Sequence, residues 1–224
     1  MIQHISFDLW LTLIKSNPLF KRKRAELIAD RFRPKNMTVE QIEMLIRQED
    51  NIFDRYNEMQ DNKIPAKYMY LHILRKMDLK CGDITEDDAE WVMQQSNELL
   101  MDYTPRLLNE HVPDILAGLQ SEVESMNIGS NTGFIEGKAL RKVLKKTGIH
   151  HFFTFFVFSD EVRVSKPSAR FFQHIHEGAN MPGSSILHIG DNPKTDYRGA
   201  ADFGFNALLI THPNYTLNDI RAKL

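Results

Sequence analysis

Short apolar runs, each followed closely by a polar residue at a turn, recur at five places along the chain. They are Ile5–Phe7 before Asp8, Val123–Ile128 before Ser130, Phe152–Phe158 before Ser159, Ile186–Ile189 before Asp191, and Ala207–Ile210 before Thr211. Runs of this length, rich in Ile, Val and Phe, are the pattern of strands buried on both faces, and helical periodicities separate most of them. Strands alternating with helices predict a parallel sheet covered on both faces, a doubly wound, Rossmann-like α/β core. Ligands of such sheets bind beyond the carboxyl ends of the strands. Asp8, Ser130, Ser159 and Asp191 end or closely follow four of the runs, so the pattern gathers polar groups at one edge.

Between about Asn17 and Tyr103 the alternation stops, and only helical patterns follow one another. Thr38 and Gln41 form a capping box, with the hydroxyl on one orphan backbone N–H and the amide on another. Ile42, Leu45, Ile46, Ile52, Phe53 and Tyr56 follow at helical spacing. Pro65 opens another helix carrying Leu71, Leu74 and Leu79, and Thr85-Glu86-Asp87-Asp88 caps a third with Trp91, Val92, Leu99 and Leu100. Pro105 and Pro113 mark the return to the core. The expected organisation is an α/β core of residues 1–16 and 104–224, interrupted by an all-α insert of residues 17–103. The Met residues of this insert (Met37, Met44, Met59, Met69 and Met77) are expected mostly as core filler.

Composition narrows the function classes. The 224 residues are 42% hydrophobic and 26% charged, with a formal net charge of −2. Nothing in that balance favours nucleic acid or a membrane surface, and no apolar run approaches a membrane span. Cys81 is the only cysteine, so no internal disulfide can form. MIQHISFDLW lacks the features of a signal peptide. These readings point to a cytoplasmic protein with a small-molecule partner and leave the oligomeric state open.

Four segments carry the candidate chemistry: Phe7-Asp8-Leu9-Trp10-Leu11-Thr12, Asn127-Ile128-Gly129-Ser130-Asn131-Thr132-Gly133, Ser165-Lys166-Pro167, and Gly190-Asp191-Asn192-Pro193-Lys194-Thr195-Asp196. Each alone is an ordinary turn, helix cap or solvated side chain. Their order, and their shared position after apolar strands, resembles the haloacid dehalogenase (HAD) superfamily. The resemblance covers residues 1–16 and about 104–212, and the insert is similar to the family's helical cap only in position and texture.

The resemblance implies that Asp8 is a covalent nucleophile, supported by the hydroxyl of Thr12. It implies that Ser130, Asn131 and Lys166 bind the transferred phosphoryl group, Lys166 also offsetting the charge of nucleophile and substrate. It further implies that Asp8, the backbone carbonyl of Trp10, Asp191 and Asp196 surround Mg2+. Magnesium prefers oxygen ligands, and phosphoryl transfer is catalysed mainly by positioning and charge stabilisation. A response-regulator receiver domain also places acids after strands, but it has no insert after its first strand and is shorter than this chain.

Trp10 departs from the phosphatase pattern, which places there a second Asp that protonates the leaving group. An indole N–H cannot do this, and losing a positioned acid–base group typically costs about 10²- to 10⁴-fold in rate. Leu11 also replaces the common Gly. Family members that cleave carbon–halogen or carbon–phosphorus bonds lack the second Asp, so three functions stay open. The leading one is magnesium-dependent hydrolysis of a small phosphorylated compound. The alternatives are metal-independent 2-haloacid dehalogenation, and a non-catalytic protein that binds a ligand or partner. Asp191 and Asp196 favour the first, because an acidic pair without a cation would repel Asp8.

Outside these motifs, Lys21-Arg22-Lys23-Arg24 reads as a solvated helix face, with attraction of an anionic substrate as the second reading. His174 and His176 lie two apart on a helix and point to different faces, a poor metal pair.

Overall fold

The computed structural model describes residues 1–77 and 84–224. Leu79 and Cys81 lie outside these described residues. Strand β1 (His4–Phe7) leads through a turn into the two-residue strand β2 (Ile14–Lys15), and four helices follow. These are α1 (Pro18–Phe32), α2 (Val39–Met59), α3 (Ala66–Lys76) and α4 (Glu86–Asp102). The chain returns along β3 (Arg106–Leu107), antiparallel to β2, so exit and re-entry run side by side. Then come α5 (Val112–Gln120), β4 (Ser125–Ser130), α6 (Gly137–Lys146), β5 (Phe155–Phe158), α7 (Ser159–Val162) and α8 (Ala169–Ala179). Strand β6 (Ile186–Gly190), α9 (Gly199–Phe203), β7 (Asn206–Leu209) and α10 (Leu217–Arg221) complete the order.

The main sheet has five parallel strands in the order β5-β4-β1-β6-β7. This is the doubly wound α/β arrangement. β1 lies at its centre, where the strand order reverses and ligands of such sheets bind. Two strand starts differ from the apolar pattern. Val123 sits in a turn, its N–H bonded to Leu119 O at 3.1 Å, and β4 begins at Ser125. Phe152 closes a 3₁₀ turn from His150, and β5 begins only at Phe155. Both residues are apolar because the turns that hold them pack on the core, which periodicity alone does not separate from a strand.

The capping boxes at Thr38–Gln41 and Thr85–Asp88 start α2 and α4. Helices α1 to α4 bury an apolar cluster of their own, including Ile28, Ile46, Phe53, Met69 and Leu74. Phe134, from the loop after β4, inserts into it and packs on Tyr70 with ring centroids 4.8 Å apart. Met69 and Met77 are core as expected, whereas Met44 and Met59 are exposed on the outer face of α2. Among the described residues no helix is long and apolar enough to cross a membrane.

Candidate active site at the strand ends

Parallel pairing aligns Phe7 with Ile128 on one side and Ile189 on the other, which sets Asp8 level with Gly129 and Gly190. The Asp8 N–H continues the ladder to Ile189 O at 2.8 Å. Beyond it the chain folds back tightly: Leu13 and Ile14 donate to Leu9 O, and Leu11 donates to Ile14 O. Leu11 takes φ 59°, the left-handed region where glycine is at ease and a side chain is strained. The turn brings buried Thr12 under Asp8, its hydroxyl donating to Asp8 Oδ2 at 3.3 Å. Its carbonyl accepts from the Tyr215 hydroxyl at 2.9 Å.

Lys166 arrives from the loop before α8. Asn131 holds its backbone, accepting from Lys166 N at 2.7 Å and donating to Lys166 O at 3.0 Å. The buried ammonium then donates to Asp8 Oδ1 at 2.8 Å, Asp196 Oδ1 at 2.6 Å and Gly129 O at 2.8 Å. An ammonium has three donors, so all are used.

Asp196 comes from the wide helical turn Pro193–Arg198, which Asn192 caps by accepting from the N–H groups of Lys194 and Thr195. Its Oδ2 accepts from Asn192 N at 3.0 Å. A Cβ on residue 190 would lie 2.3 Å from Asp196 Cγ, so only glycine lets the carboxyl approach the strand end. Beneath, buried His188 bridges Asp196 Oδ1 at 3.4 Å and Ser6 Oγ at 3.0 Å. Burial lowers the imidazole pKa and favours the neutral ring. An ionised Asp196 only accepts. Nε2 therefore carries the proton and Nδ1 accepts from Ser6.

Carboxylate oxygens of Asp8, Asp191 and Asp196 all lie within 4.8 Å of one another. Burial pushes Asp8 up to about 7 despite the pull of Lys166, with Asp196 and Asp191 adding to the rise. Burial, then Asp196, also raises Asp191. Burial acts on Asp196 in the same direction, but Lys166 and then His188 more than offset it and hold this carboxyl well below the usual range. Three carboxyl groups thus crowd one ammonium, which bonds Asp8 and Asp196 and not Asp191. Oxygen donors so grouped suit a hard divalent cation. All three line the cleft; Asp196, 2% exposed against 7% for Asp8, lies deepest and is tied to Lys166 and to Asn192 N, so it suits a supporting place better than a direct one.

The cleft above these residues has a volume of about 460 Å³. Trp10, Asn131 and Lys166 line it on the sheet side. Ser130 stands at the end of β4 but is fully buried, its hydroxyl donating to Asn131 O at 3.2 Å rather than facing the cleft.

The opposite wall is helical. Lys21 and Arg24, three apart on α1, both line the cleft, and Arg24 is buried. The solvated-face reading of the basic run therefore fails for Arg24 alone: Lys21 is exposed at the edge of the cleft, and Arg22 and Lys23 pair with Glu40 and Glu26 on the surface. Asp50, Asp54 and Glu58 of α2 also line it. Their spacing of four was visible in the sequence, but nothing local showed which way that face turned. Lys194 Nζ meets Glu58 Oε2 at 2.6 Å, joining the Asp191–Asp196 loop to α2.

Comparison with known proteins adds three kinds of likeness. Residues 5–210 match the family described as haloacid dehalogenase-like hydrolase. The (S)-2-haloacid dehalogenase 2 of Pseudomonas sp. (strain CBS-3) is 27% identical over 166 residues, 70% of this chain and 71% of that protein. The pyrimidine 5'-nucleotidase YjjG of Escherichia coli (strain K12) is 34% identical over 100 residues, 43% of each. With the haloacid dehalogenase-like hydrolase domain-containing protein 3 of Danio rerio, 32% identical over 73 residues, the match takes in 33% of this chain and spans only 30% of that protein. The magnesium-bound putative HAD-hydrolase YfnB of Bacillus subtilis superposes with TM-score 0.71 at 16% identity, over 96% of this chain and 91% of that one. At that identity the likeness speaks for the fold.

Proposed function

The chain belongs to the haloacid dehalogenase-like hydrolases, and on that premise we propose that it is a magnesium-dependent phosphohydrolase acting on a small phosphorylated compound through phospho-Asp8. The observation that carries this reading is the charge count around Lys166. Its ammonium is fully committed to Asp8, Asp196 and Gly129 O, which leaves Asp191 and the excess negative charge with no ion pair among the described residues. Asp8, Asp191 and the carbonyl of Trp10 would hold magnesium, with Asp196 behind them. Bound there, the ion supplies positive charge to the nucleophile and to the phosphoryl oxygens.

In the first step an Asp8 oxygen forms a bond to phosphorus as the bond from phosphorus to the ester oxygen breaks. The leaving oxygen takes a proton from water, and the water that attacks in the second step gives one back to solvent. In the second step water adds to phosphorus, releasing phosphate and restoring the Asp8 carboxylate. Lys166 holds Asp8 in place through both steps, and Thr12 fixes its other oxygen. Asn131 sets Lys166 and faces the cleft, a second route to the phosphoryl group. Helices α1 to α4 act as a cap that covers the reacting atoms and excludes water.

Trp10 favours a second reading, 2-haloacid dehalogenation through an ester on Asp8, because a halide needs no proton to leave. One comparison separates the two. Wild type and Asp8→Asn are assayed with p-nitrophenyl phosphate, with and without magnesium, and with a 2-haloacid in chelator. Phosphate release that needs both magnesium and Asp8 is the expected result. Chloride release in chelator, without phosphatase activity, would replace the proposal by its alternative.

A further inference from the structure

On the helical wall of the cleft, cations and carboxylates do not pair as they do around Asp8. Arg24 is only 5% exposed and lines the cleft. Its Cζ lies 5.2 Å from the ring centroids of both Phe20 and Phe134. Nη1 donates to the Tyr70 hydroxyl at 3.3 Å, while Nε is buried with no hydrogen-bond partner among the described residues. A buried guanidinium is costly unless its charge and its donors are met. Aromatic rings answer part of the charge but none of the in-plane donors.

Arg24 acts on the Asp50 carboxyl at a distance, but among the described residues no hydrogen bond joins the two. Asp50 Oδ1 is buried without a partner, close over Gly133, where a Cβ would approach it to 2.8 Å. Burial pushes the Asp50 carboxyl up, and Arg24 and Lys21 oppose this only in part. Lys21, one turn before Arg24, lines the same cleft from its exposed edge.

We propose that Arg24, with Lys21 at the rim, binds a second anionic group of the substrate, a carboxylate or second phosphate remote from the phosphoryl group that meets Asp8. Planar guanidinium edges recognise both groups by paired N–H···O bonds. The assignment deepens the phosphohydrolase reading and rests on it. It selects phosphorylated acids and bisphosphates over simple alkyl phosphates and nucleoside monophosphates. It also explains why α1 carries a buried cation where a hydrophobic residue would pack at less cost.

The test reads binding and turnover separately. Calorimetry with magnesium in excess measures phosphoglycolate, ethylene glycol bisphosphate and ethyl phosphate on Asp8→Asn protein, with and without Arg24→Gln. The expected result is that at least one of the two doubly anionic ligands binds about tenfold or more tighter than ethyl phosphate, as a charged hydrogen-bonded contact warrants. Arg24→Gln should bring that ratio close to one. Whichever ligand shows the ratio distinguishes a carboxylate from a second phosphate. Lys21→Gln, at an exposed site, should reduce the ratio about threefold, a rim contribution, and it serves if Arg24→Gln does not fold. Ratios that ignore both substitutions, or no binding by any of the three ligands, would overturn the subsite. If the ratio responds to Arg24 but wild type hydrolyses none of the esters, the subsite stands and the reading of the reaction fails.

Discussion

Replacing Lys166 by Met removes the one cation among three carboxyl groups while keeping most of the apolar stem. The ammonium lies 2.8 Å from Asp8 Oδ1 and 2.6 Å from Asp196 Oδ1, and Lys166 is 1% exposed. With an effective dielectric near 20, each contact attracts by roughly 6 kcal/mol. Desolvation of the partners offsets much of that, and breaking such a buried pair from one side costs about 3–5 kcal/mol. That is a large share of a typical stability of about 5–15 kcal/mol. For a domain of this size it lowers Tm by roughly 6–20 °C. Urea denaturation in chelator at pH 7.5 measures it.

The loss should shrink in acid. Lys166 holds Asp196 below its unfolded value of 3.8, so the stability this carboxylate contributes is present above that pH and fades as pH falls through the folded pKa. The variant lacks that contribution from the start, and its buried carboxyl groups are easier to protonate. The gap between the two proteins therefore narrows towards pH 3. A loss under about 1 kcal/mol at pH 7.5, or a gap that widens in acid, would refute the charge-balance argument.

Two further substitutions test the strand-end turn. Trp10→Asp supplies the missing acid–base group at a position that lines the cleft. Magnesium-dependent turnover of an alkyl phosphate should rise by about 10²- to 10⁴-fold, and that of p-nitrophenyl phosphate by less, since its leaving group needs little protonation. Equal or absent gains on both would count against a missing general acid. Leu11→Gly relieves φ 59° at a residue 58% exposed, so little apolar burial is lost. Stability in urea should rise by up to about 1 kcal/mol, the left-handed cost less the added freedom of glycine in the unfolded chain; a fall would refute the strain.

What was legible in the sequence was what depends on neighbours in the chain. Strand ends at Asp8 and Asp191 followed from apolar runs cut by a polar residue, and the caps at Thr38 and Thr85 from three-residue spacing. What was hidden depends on direction or on distant partners. Lys21 and Arg24 share a face that Arg22 and Lys23 do not, yet only tertiary packing decides which face meets the cleft. Ser130 sits in the motif position, but its side chain falls below the cleft wall. His188 reads in the sequence as one residue of an apolar strand, because its role comes from Ser6 and Asp196 on separate segments. Phe134 belongs to a core loop by sequence and to the helical cluster by packing.

The two halves of the motif set pull toward different chemistries, and counting donors explains why the acidic half weighs more. Trp10 removes one carboxyl group from the mouth of the site, which a halide leaving group would tolerate. It does not reduce the charge deeper in, because Asp191 and Asp196 flank the same Lys166. With its donors spent on Asp8, Asp196 and Gly129 O, the Lys166 ammonium cannot turn to Asp191 without abandoning one of them. An uncharged carbon centre delivered to Asp8 brings no cation, and the haloacid's own carboxylate would add to the excess. A phosphate ester adds negative charge as well, but it comes with oxygens that a divalent ion can share with Asp8 and Asp191. The same ion then answers the acids and the substrate together, whereas for the haloacid the third carboxyl group has no use.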